Sequence, residues 1–241
     1  MKKLFPALLT SISISLVFFP IAYAQTTGNF CEKIKNHEDA IRADFDISTK
    51  ARTELEKKQD EELAVERQKQ DESFVTARLE TDAQFSAYIA SLREKAGKNE
   101  TRIGAIETFE NAVIASRRTF RNTVADTIDT FRKSMDDVLQ NRRSGLTATE
   151  TSRRAQFDSA MTSAKEGCID DNTSKSAQEN LKKTLLGIRD TFRTDLAKVE
   201  GDARKAHNTA IEIRKNSLIE ARDARKQAVE AAALELRNAW H

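Results

Sequence analysis

The chain has 241 residues, 32% of them charged, with 40 Lys and Arg against 38 Asp and Glu. That balance lacks the basic surplus nucleic-acid binding draws on, and two cysteines are too few for a disulfide-dense scaffold. Two prolines, seven glycines and abundant Ala, Glu, Lys, Arg and Leu point away from turn-rich folds and toward long helices or coiled coil.

The first element is a leader. MKKLFPALLTSISISLVFFPIAYA (1–24) has two lysines, an apolar run from Leu4 to Ile21 and the triplet Ala22-Tyr23-Ala24. These are the n-region, h-region and cleavage site of a secretory signal peptide. Cleavage is expected after Ala24, and the protein is expected to be exported, periplasmic or secreted. An uncleaved anchor is the competing reading, against which Pro20 and the A-x-A triplet argue. The residue directly after the cleavage site is Gln25 and not a cysteine, which argues against a lipoprotein anchor. No later run approaches the ~20 apolar residues of a spanning helix. Both prolines leave with the leader, as do Lys2 and Lys3, so residues 25–241 are proline-free and formally neutral.

A first helical leg is predicted over about 31–96. Phe74 and Phe85 stand eleven residues apart, and Ile89 and Leu92 continue their row. Its stretch 56–73 holds only Leu63, Ala64 and Val65 as apolar residues. AGKNETRIG (96–104) then combines a helix-ending glycine with capping Asn and Thr, and reads as a turn.

The second leg, about 104–166, carries three ungapped blocks: TFENAVIASRR (108–118), TFRNTVADTID (119–129) and TFRKSMDDVLQ (130–140). Phe109, Phe120 and Phe131 share one position, followed four residues on by Val113, Val124 and Met135. Ser116, Thr127 and Val138 follow seven residues after each Phe. Offsets of 0, 4 and 7 mark one helix face, and eleven residues make three turns at about 3.67 residues each, so the stripe barely drifts. Phe157, Met161 and Ala164 repeat the offsets, as do Phe192, Leu196 and Val199 further on. The recurring TFR thus reads as a core Phe beside a surface Arg; a ligand-binding aromatic stripe is the sharper alternative. Gly145, followed by a Thr147/Glu150 capping box, predicts a kink or break within this leg. The arginine pairs at 117–118, 142–143 and 153–154 read as a mixed-charge surface.

GCIDDNTS (167–174) is the second turn signal, and a third leg is predicted over about 173–240. Gly187 and Gly201 weaken it by about 1 kcal/mol each relative to Ala. Apolar-poor stretches at 56–73, 140–154 and 200–210 all fall near mid-leg and predict a loosely packed waist.

Near-equal legs with short turns predict an all-α fold: a single domain over 25–241, an elongated, antiparallel up-down-up three-helix bundle or coiled coil. Helices of ~65 residues would each be about 100 Å long. Cys31 opens the first leg and Cys168 follows the second, so an up-down path brings them to one end and one disulfide is expected. Closing that loop would add about 4–5 kcal/mol in the chain-entropy model. A free pair or an intermolecular bridge is the alternative. The first leg carries net −4 (31–97) and the third net +4 (172–241), which favours pairing between these two.

Nothing in the chain reads as catalytic: there is no Gly-rich phosphate loop, no H-E-x-x-H and no G-x-S-x-G. Cys31 and His37 are about 240° apart around a helix, a poor start for a metal site. Asn99-Glu100-Thr101 and Asn172-Thr173-Ser174 fit glycosylation sequons but are explained as caps. Trp240 is expected beside the 97–103 turn, either packing over the bundle end or anchoring a partner. No cofactor, metal or small-molecule ligand is expected, nor nucleic acid; a membrane-surface role is disfavoured by the small-residue faces and balanced charge.

The expected function is therefore a non-enzymatic envelope or secreted protein, acting as spacer, scaffold or protein-binding surface, with an unknown protein partner or self-association. A leader followed by long charged helices resembles, in layout alone, the periplasmic holdase chaperones with long helical arms. That resemblance implies client binding as the alternative function; no residues carry over. An amphipathic lipid-surface binder is the third reading.

Overall fold

In the computed structural model the described residues are 30–168 and 171–240. The predicted leader (1–24), Asp170 and His241 lie outside them. Three α-helices in up-down-up order account for nearly all the rest: α1 (Phe30–Ala96), α2 (Glu100–Glu166) and α3 (Asp171–Asn238). No strand occurs among the described residues.

The helix ends follow local chemistry. α1 stops at Gly97, whose φ of 58° is open to glycine at little cost. Asn99 then caps α2, its Oδ1 accepting from the Arg102 backbone N–H at 3.1 Å. α2 closes with the Gly167 N–H donating to the Ser163 carbonyl at 3.0 Å. The turns are therefore tighter than the sequence signals, and Gly104 belongs to α2.

The predicted break at Gly145 does not occur: α2 runs unbroken from Glu100 to Glu166. A Cβ built on Gly145 would lie 2.9 Å from Val199 Cγ2 and 3.0 Å from its Cγ1. The glycine serves a close approach of α2 to α3, and helical hydrogen bonding continues through it.

The interhelical contacts group into two units. Unit 1 takes residues up to Ala64 and Leu139–Arg204; unit 2 takes Val65–Val138 and residues from Lys205 on. The division falls inside the apolar-poor stretches of α1 and α3 and just ahead of that of α2. In unit 1, Ile34, Phe45, Phe157, Met161, Leu181 and Ile188 form the core, and Phe45 meets Phe157 edge-on at 5.5 Å. In unit 2, Ile89, Ile106, Phe109, Val113 and Leu236 do so.

The eleven-residue period runs through all three helices. On α2 the Val113 column continues through half-buried Val124 to Met135, Leu146 and Phe157, which are buried. On α3 Ala177, Ile188, Val199, Ala210, Ala221 and Ala232 form one column, buried except for half-buried Val199. Of the predicted core stripe, Phe109, Phe131, Phe157 and Phe192 are buried, while Phe74, Phe85 and Phe120 are half-buried.

Candidate functional site

The period extends beyond the apolar face. Along the α1–α2 seam six side-chain pairs recur, each eleven residues from the next on both helices: Arg93–Glu110, Asp82–Arg121, Asp71–Arg132, Asp60–Arg143, Thr49–Arg154 and Glu38–Lys165. The first three lie in unit 2, the others in unit 1. Asp71, Asp82 and Asp60 each take two nitrogens of a facing guanidinium: Arg132 Nη2 reaches Asp71 Oδ1 at 2.7 Å and Arg143 Nη2 reaches Asp60 Oδ1 at 2.7 Å. Such forked pairs restrict orientation as well as distance.

The arginines of the two TFR copies on α2, Arg121 and Arg132, thus bridge to α1. The matching column of acids on α1, Asp60, Asp71 and Asp82, stands in the sequence at the same eleven-residue spacing.

The electrostatics follow the geometry. Arg121 holds the Asp82 carboxyl below the usual carboxylate range, and Arg132 does the same to Asp71. Glu38 is lowered by hydrogen bonds from Lys165 first and Arg42 second.

Charge pairing departs from expectation in its location. Among the described residues ten ion pairs join α1 to α2, one joins α2 to α3 and none joins α1 to α3. Net charge per leg did not decide this. Arg117, Arg121, Arg132, Arg143 and Arg154 of α2 pair with acids of α1, whereas basic residues of α3 lie over rings: Arg214 over Phe131 at 4.5 Å and Arg225 over Phe120 at 5.1 Å.

The arginine pairs of α2 also need correcting. Arg142 and Arg153 occupy the column of Phe109, Phe120 and Phe131 and face inward. Arg142 is 6% exposed, and three of its contacts reach Glu200 carboxylate oxygens at 2.6–3.1 Å. Arg153 lies over both Phe45 (4.6 Å) and Phe192 (4.5 Å), and burial pushes its guanidinium below the usual range. Arg117 covers Phe85 at 4.1 Å and is likewise lowered by burial, offset in part by Asp82.

On α1, Arg52 is 8% exposed. Its Nη2 lies 3.2 Å from Glu150 Oε2, and its Nε stands 3.8 Å from Glu56 Oε1, too far for a hydrogen bond. Unit 1 therefore contains two buried arginines, Arg52 and Arg142, each paired with a glutamate of a facing helix. Thr147 and Glu150, read as a capping box, instead face Arg52 from mid-helix.

At the helix ends, Cys31 and Cys168 form the expected disulfide, with Cα atoms 5.7 Å apart. Trp240 packs against the Ile89–Ile106 core, with the Arg102 guanidinium 4.7 Å over its ring. His207 is buried in α3 beside Asn208.

Among the described residues no group of His, Cys, Asp and Glu is placed to hold a metal ion, and no helix is long and apolar enough to cross a membrane. No family model, curated protein or solved structure matches the chain.

Proposed function

We propose that this is an exported, non-enzymatic helical scaffold that presents fixed outer helix faces to protein partners. The observation that supports it best is the eleven-residue ladder between α1 and α2. Within each unit it ties the two helices in register over three repeats, and in unit 1 the Cys31–Cys168 bridge closes the same pair covalently. Side chains on the outer faces are thereby held at set positions, which suits a spacer or binding surface. Photo-crosslinkers at the exposed positions Ile47 and Ile213 are expected to trap discrete protein adducts in intact cells, and one at the buried Ile106 is not. Absence of adducts from every exposed face would count against the scaffold.

A second reading, a holdase chaperone, is favoured by the exposed Ile47, Leu55, Val65, Val75 and Leu79 on α1. It predicts suppressed aggregation of an unfolded outer-membrane protein, where the scaffold predicts no effect. The lipid-surface reading predicts binding to anionic vesicles.

A further inference from the structure

Along the ladder, Asp71 pairs only with Arg132 and Asp60 only with Arg143 among the described residues. Asp82, in unit 2, pairs with two arginines. The Arg121 fork takes both of its oxygens, and Oδ1 also accepts from Arg117 Nη1 at 3.2 Å. α3 brings a third guanidinium to the same level of unit 2. The Ser116 hydroxyl donates to the Arg225 carbonyl at 3.5 Å, which sets that turn of α3 beside Ser116 and Arg117. Arg225 lies over Phe120 and makes no ion pair among the described residues. Its column on α3 is a core one, with Ala203 and Leu236 buried.

Three guanidiniums therefore share one carboxylate. Burial lowers the Arg117 guanidinium below its usual range, Asp82 opposes this, and Arg225 and Arg121 push it lower still. Arg117 Nε is buried without a hydrogen-bond acceptor. The other acids within five residues of these groups, Glu80, Asp126, Glu220, Asp223 and Glu230, are all exposed. Each stands at least about 140° around its helix from the nearest of these groups in sequence, so none turns inward to supply the missing charge.

The geometry points to a binding site for one small free oxyanion of the inorganic phosphate kind, held between Arg117 and Arg225 over Phe85 and Phe120. Arg117 stacks on Phe85 at 4.1 Å and Arg225 on Phe120 at 5.1 Å. Stacking fixes the plane of each guanidinium and leaves its N–H edge to donate, the geometry that suits an anion with several acceptor oxygens. Such an anion gives Arg117 Nε–H its acceptor and offsets the excess positive charge in a half-buried setting, where an unpaired charge is costly. A chloride offers a single point to these planar donors, and a cation is repelled. The site lies off the exposed positions on which the scaffold reading rests, so its loss leaves that reading to the crosslinking experiment.

Calorimetric titration of the full chain with inorganic phosphate, at ionic strength held constant with sodium chloride, should show one site. Phosphate should also shift the Arg117 Nε–H resonance. Arg225→Gln should weaken binding about tenfold or more with unchanged helicity. Arg193→Gln, exposed on α3 in unit 1, should leave it unchanged. Asp82→Asn removes the competing carboxylate, so it should tighten phosphate binding even as it loosens the ladder, a sign that a purely structural role would not give. Vesicles carrying phosphatidic acid should not bind, because the acceptor is a free anion. Absence of binding up to about 10 mM phosphate, equal binding by Arg225→Gln, weaker binding by Asp82→Asn, or binding to the vesicles alone would each overturn the proposal.

Discussion

Arg132 on α2 grips Asp71 on α1 through two hydrogen bonds, Nη1 to Oδ2 at 3.1 Å and Nη2 to Oδ1 at 2.7 Å. The same grip recurs eleven residues away in each direction, at Asp60–Arg143 and Asp82–Arg121. One rung is a partly exposed ion pair, with Asp71 at 56% side-chain exposure, and stabilises only modestly. A double-mutant cycle on Arg132→Ala and Asp71→Ala is expected to give a coupling of about 0.5 kcal/mol in urea unfolding. Asp71→Arg should destabilise further by placing like charges together, and adding Arg132→Asp should recover most of the loss. A coupling indistinguishable from zero would reduce the ladder to a decoration of the seam.

Arg142 and Glu200 differ from the ladder because the guanidinium is buried and Glu200 is 32% exposed. Glu200→Ala leaves Arg142 inside without its acceptor and should cost about 2–3 kcal/mol. Replacing both, Arg142→Met with Glu200→Gln, should come out near neutral or stabilising, since no buried charge then remains. If the double variant is as unstable as Glu200→Ala, the loss lies in packing.

The glycines should answer the same substitution with opposite signs. Gly187 has nothing within 4 Å of a Cβ built on it, so Gly187→Ala should stabilise by about 0.5–1 kcal/mol through helix propensity. At Gly145 the new methyl would meet Val199 at 2.9 Å, and a β-branched side chain in a helix has little freedom to turn away. Gly145→Ala should therefore lower the melting temperature. Equal gains at the two sites would mean that α3 yields at Val199.

Acid should weaken the bundle through its held carboxylates. Glu38, Asp71 and Asp82 have folded-state pKa values below their unfolded ones, so the unfolded chain binds protons first as pH falls. Their contribution is present above the unfolded values, at about pH 4, and is lost as pH drops through the lower folded values. Glu38, at 11% side-chain exposure, should contribute most, because solvent screens the half-exposed aspartates. Urea midpoints from neutral to acid pH should fall below that point, and Glu38→Gln should flatten the fall. A profile that Glu38→Gln leaves unchanged would show that other carboxylates govern it.

Much of the fold was legible in the chain. Three legs, two turns, the eleven-residue face and the meeting of Cys31 with Cys168 follow from local signals: periodicity, glycine and Asn punctuation, and the geometry of an up-down path. These depend on residues close in sequence, or on leg length alone. Three positions run against their local signal. Charge alone points Arg142 and Arg153 to the surface, and residue type alone points Gly145 to a break. Each is explained by a residue on another helix: Glu200, the rings of Phe45 and Phe192, and Val199. The chain by itself determined the helices and the period they share. Only the tertiary structure decided which members of each column meet, because register between helices sets whether an arginine at a core position finds an acid, a ring or water.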